Sequence, residues 1–198
     1  MLITFDPKCS LEEYAKIGRD FDFPKLERCP NRKCRTLRVH RHGFYQRNCS
    51  DGHSWYRIPI RRYYCPHCGT TVSFLPLFCL PWFQYGLMCL MKCLIARFLW
   101  HLSLKETLDR LKAEYPKLSW SVSQLHRYLS RFLANIPRIE LVLRSVNPRC
   151  LLGQSLDKTK RAKKVLDMII GFPTIQSFSK LFADQCHCSF LAPIHSLV

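Results

Sequence analysis

The sequence predicts an α+β chain, a small cysteine-bracketed ribbon followed by a helical bundle, and three observations carry that expectation. Two cysteine pairs, Cys29/Cys34 and Cys65/Cys68, enclose a stretch rich in β-branched and aromatic residues. Beyond residue 82 the apolar residues recur at helical spacing, behind recognisable helix starts. Thirty-one Lys and Arg stand against 14 Asp and Glu, a formal net charge of +17, concentrated in the ribbon. The expected organisation is an N-terminal helical extension (1–24), the ribbon (25–80), a helical region with a helix-turn-helix-like pair (81–147), and a linker with short C-terminal helices (148–198).

Each element has a local cause. Ser10 and Glu13 form a capping box that starts one short helix. Arg35 to Arg47 predicts a strand, a turn at Gly43 and a second strand. Asp51-Gly52 predicts a tight turn into a strand over Ser54 to Tyr64, and Thr70 to Phe74 a last short strand. Val72 to Met91 holds no charged residue, yet Pro76 and Pro81 interrupt it, so a buried helix after Pro81 is expected and not a membrane span. Leu87 to Leu99 is apolar on most sides. Ser103/Glu106 and Ser121/Gln124 are two further capping boxes. The first opens a helix ending before Pro116, the second a helix ending before Pro137, with a fourth helix over Arg138 to Val146. Residues 147–164, with Pro148, Gly153 and the basic run Lys158 to Lys164, predict a linker. Short helices follow over 165–185, with Thr174 as a cap.

The cysteines carry the chemistry. No basic-then-apolar leader is visible at the N-terminus, so the thiols are expected to stay reduced, and clustered ones predict metal ligands. Cys29-Pro-Asn-Arg-Lys-Cys34 and Cys65-Pro-His-Cys68-Gly69 have the spacing of two knuckles that together offer zinc a thiolate tetrahedron. Such a site leaves no open coordination position, so the zinc would be structural. A rival set replaces one ligand with Cys49 or His53. His67 is expected to point outward, Cys186-His187-Cys188 is a weak metal signal, and Cys79, Cys89, Cys93 and Cys150 read as small apolar fillers.

Residues 25–64 carry a net +9, with Phe44, Tyr45, Trp55, Tyr56, Tyr63 and Tyr64 interleaved. The aromatics are expected to form the ribbon's core. Arg35, Arg38, Arg41, Arg57, Arg61 and Arg62 are the candidate phosphate contacts. On the Ser121 helix, Ser123, Gln124, Arg127 and Arg131 lie on or beside one polar face opposite an apolar one, as in a helix that reads the major groove.

Arg61-Arg-Tyr-Tyr-Cys-Pro-His-Cys-Gly-Thr-Thr-Val-Ser-Phe-Leu-Pro76, after a first cysteine pair and before a helical region, resembles the zinc-ribbon and helix-turn-helix front end of insertion-sequence transposases. The resemblance covers about residues 25–135 and is nearest to stand-alone, transposase-related bacterial proteins. It implies binding of duplex DNA, loosely through Arg61, Arg62, Gln124, Arg127 and Arg131. The four-residue gap between Cys29 and Cys34 departs from the commoner two. The resemblance does not extend to the nuclease part, which needs three metal-binding carboxylates: after Asn135 come only Glu140, Asp157, Asp167 and Asp184, without a βαβ pattern.

No Ser-His or Cys-His nucleophile context is readable, so no enzymatic activity is expected. The expectation is a cytoplasmic, nucleoid-associated, zinc-dependent protein that binds double-stranded DNA. A separate catalytic transposase subunit is a possible partner. The alternatives are an RNA-binding zinc ribbon and the DNA-binding half or remnant of a split transposase.

Overall fold

The computed structural model describes residues 1–148 and 157–193. In chain order the elements are β1 (Leu2–Phe5), α1 (Leu11–Ile17), β2 (His40–Ser50), β3 (Trp55–Tyr64), β4 (Thr71–Pro76), α2 (Leu87–Phe98), α3 (Leu104–Glu114), α4 (Val122–Val146), α5 (Lys158–Ile170) and α6 (Ile175–Cys186). The described residues form an α+β fold with one mixed four-stranded sheet, ordered β1-β4-β3-β2, and six helices. One apolar cluster lies under the sheet, around Phe5, Tyr14, Ile58, Ile60 and Phe74. A second, larger one gathers α2 to α6.

The helix starts follow the sequence closely. Ser10, Ser103 and Ser121 each accept from the N3 amide while Glu13, Glu106 and Gln124 bond back, and Thr174 caps α6 through Ser177. Among the described residues no helix is long and apolar enough to cross a membrane.

Several expectations need correction. Residues 2–5 are not part of a helical extension; β1 pairs in parallel with β4, Leu2 opposite Ser73. Gly43 does not turn the chain. It sits in a bulge between Arg41 and Phe44, inside one continuous eleven-residue strand. The helix expected to stop before Pro137 continues to Val146. Proline removes one backbone donor there, but Phe132, Ile136, Ile139, Val142 and Leu143 form a buried stripe that only an unbroken helix delivers to α5 and α6. The basic run Lys158–Lys164 is not linker either: Asp157 caps it, and Ala162, Val165, Leu166 and Ile169 are buried beneath it. Residues 149–156 of the expected linker, with Gly153, lie outside the described residues.

The tip of the β2–β3 hairpin ties sheet to helices. Asp51 accepts from the amides of His53 and Ser54, and Ser50 exchanges backbone bonds with Gln84 and Gly86. The Lys117 amide donates to the Gly52 carbonyl. Gly52 has φ +94°, and a Cβ there would fall 2.3 Å from Tyr115 Cδ1 and 2.8 Å from its Cβ. Gly52→Ala is therefore expected to destabilise the chain by about 1–3 kcal/mol, the range for overpacking. Chemical denaturation checks this; an unchanged midpoint would show that the contact yields freely.

Candidate metal centre

The hairpin register decides where the cysteines meet. His40 pairs with Tyr64 at the open end of β2–β3, so the segment before β2 and the segment after β3 leave side by side. Each forms a closed loop. The Cys29 amide donates to the Thr36 carbonyl, and the Cys65 amide to that of Thr70. Within them the Cys34 and Arg35 amides donate to Asn31, and the Gly69 amide to Cys65. The residue after the second cysteine is left-handed in both loops, Arg35 at φ +48° and Gly69 at φ +69°. Glycine takes that conformation without strain; the first loop has arginine there instead.

Cys29, Cys34, Cys65 and Cys68 converge, all four sulfurs within 4.8 Å of one another. Cys29–Cys68 is 3.6 Å and Cys34–Cys65 is 3.7 Å, each pair spanning the two loops. Sulfurs placed about 2.3 Å from one tetrahedral ion sit about 3.8 Å apart, so the cluster fits a single metal ion. Burial pushes the Cys29 thiol up to about 12. Hydrogen bonding to the Thr70 hydroxyl, then to its amide, brings Cys68 down to about 6. A bound cation would ionise all four, because it favours thiolate over thiol wherever it coordinates.

The rival ligands lie elsewhere. Cys49 is buried 3.5 Å from Cys79, and the His53 ring packs on Tyr115. His67, expected to face away, places Nδ1 3.4 Å from Cys34 Sγ, where it can orient the ligand. Thr70, missed in the sequence, has its Oγ1 3.1 Å from Cys68 Sγ. Its position directly after Cys68-Gly69 was the available signal. Cys79, Cys89 and Cys93 are buried, as expected of fillers, and burial raises all three thiols. Cys186 and Cys188 pack against the helical cluster and do not join the four-sulfur group. Cys150 lies outside the described residues.

The arginines separate into sets. Cross-strand partners share a face, so the pairings Arg41–Tyr63, Phe44–Arg61 and Asn48–Arg57 put Arg41, Arg57 and Arg61 together. Arg62 points to the opposite face, since side chains alternate along a strand. Arg61 stacks over Phe44 at 4.7 Å and Tyr63 at 5.5 Å. Phe44, Tyr45, Tyr56 and Tyr63 do belong to the sheet's apolar cluster, whereas Trp55 is exposed and meets Tyr85. Arg35 and Arg38 are exposed beside the first cysteine loop. On α4, Ser123 and Arg127 are exposed. The Gln124 Oε1 accepts from the Ser121 amide, and Arg131 lies 5.6 Å over Phe83. Gln124 is thus a capping residue first, with only its NH₂ left for another partner. The chain matches no protein-family model, no curated protein and no solved structure.

Proposed function

We propose that this chain is a zinc-dependent DNA-binding protein related to the front end of insertion-sequence transposases, without a catalytic centre of its own. The observation that carries the reading is the convergence of four sulfurs at tetrahedral spacing on the open end of a hairpin whose Arg41, Arg57 and Arg61 share one face. In this reading the loops and hairpin form a zinc ribbon, and the metal locks the arginines into one geometry. Helices α3 and α4 act as a helix-turn-helix-like pair, with Arg127 and Arg131 towards the duplex. The seven residues joining them are more than the usual three or four, so this pair belongs to the reading only by its polar face. Strand cleavage, where the protein takes part in it, falls to a separate subunit that supplies metal-binding carboxylates.

The test is duplex affinity against salt. Several phosphates neutralised by arginine give a steep fall, with a slope of about −0.9 per phosphate on a double-logarithmic plot. Arg127→Ala is expected to weaken binding and to flatten that slope by about one unit. An affinity for duplex DNA that ignores salt would overturn the reading. Preference for single-stranded RNA in direct competition would favour the RNA-binding alternative.

A further inference from the structure

Leu80-Pro81-Trp82-Phe83 closes a tight turn, with the Phe83 amide donating to the Leu80 carbonyl. Proline at the second position and a φ of +71° at the third give it type II character, a geometry that favours glycine at the third position. That place holds Trp82, and its side chain is not buried to compensate: the residue is 75% exposed. The turn is held from beneath, because the Arg47 guanidinium donates to the carbonyls of both Leu80 and Phe83, on either side of the strained residue. A large aromatic kept outward in a backbone state that disfavours it points to use of its face.

The surroundings name the ligand. Trp82 lines a groove of about 1080 Å³ between β1, the first cysteine loop and α6. The groove is mainly apolar, and Arg32 and His187 face into it. Its single acid, Asp184, is already paired with Lys180. The next residue, Phe83, packs on Tyr128 and carries Arg131 over its ring, so Trp82 adjoins the basic part of α4. An apolar groove with an open indole and the Arg32 guanidinium on its wall fits a flat heterocycle on a phosphate chain.

We propose that Trp82 stacks on an unpaired nucleobase, taken into this groove from the end or a disrupted point of a bound duplex. The inference rests on the DNA-binding reading and adds to it a preference for substrates with unpaired bases. Binding of the full chain to a plain duplex, and to the same duplex with a single-stranded overhang, tests it. The wild type is expected to favour the overhang about tenfold, the scale of one base–aromatic stack. Trp82→Gly suits the turn, so it should melt no earlier than wild type and bind the plain duplex equally, yet lose the preference. Trp82→Phe should recover part of it. Retention of the preference in Trp82→Gly, or a wild type that binds both probes equally, overturns the inference alone. A wild type that binds neither probe overturns the DNA-binding reading itself.

Discussion

Purified protein carrying Cys65→Ser, or stripped with a strong chelator, is expected to lose one equivalent of zinc and the cooperative unfolding of its sheet together. Structural zinc contributes about 10–16 kcal/mol in small metal-dependent folds, comparable to or larger than the whole stability of a typical domain. The cluster stands at the open end of β2–β3, where the two cysteine loops meet beyond His40 and Tyr64. Each loop is closed by a few backbone bonds of its own, so a metal held by all four sulfurs would be the main link between the two loops. The control is Cys93→Ala, which removes a buried thiol from the helical cluster and should keep full zinc with a modest loss of stability. Metal analysis and near-ultraviolet circular dichroism read both outcomes. A Cys65→Ser protein with a full equivalent of zinc and an unchanged melting curve would remove the site from consideration.

Arg161→Met is the second large effect expected. Glu140 is only 3% exposed in the middle of α4, and both its oxygens bond the Arg161 guanidinium from α5. Removing the arginine leaves a carboxylate shut away from water without a partner. The expected loss is about 3 kcal/mol, the low end for breaking a buried pair, because the Arg161 side chain keeps 30% exposure. Replacing both residues with methionine should restore most of the loss, since the site then holds no stranded charge. Denaturant midpoints of the two single variants and the double variant measure the coupling. Equal destabilisation in single and double variants would mean that packing and not charge governs this contact.

Local chemistry was legible and long-range consequence was not. The serine caps, the Asp51-Gly52 turn and the two cysteine loops were readable because each depends on residues within a few positions. The parallel pairing of β1 with β4 joins residues about seventy apart, and nothing in Leu2-Ile-Thr-Phe5 announces it beyond a short β-prone run. Pro137 and the Lys158 run misled for one shared reason. Local propensity argues for a break at both, but burial of Ile136, Ile139, Val165 and Leu166 in one cluster outweighs it. At the candidate site the ligands were visible from spacing alone, while the approach of His67 to Cys34 depends on how the two loops meet.

The bulged strand β2 sets a scale as well as a shape. Its eleven residues, at a rise of about 3.3 Å each, keep the sulfur cluster and the α3–α4 corner roughly 30 Å apart. In the DNA-binding reading proposed above, that span is close to one turn of B-form duplex, about 34 Å. Lengthening the hairpin by two residues in each arm would widen that span by about 6–7 Å without changing a side chain at either end.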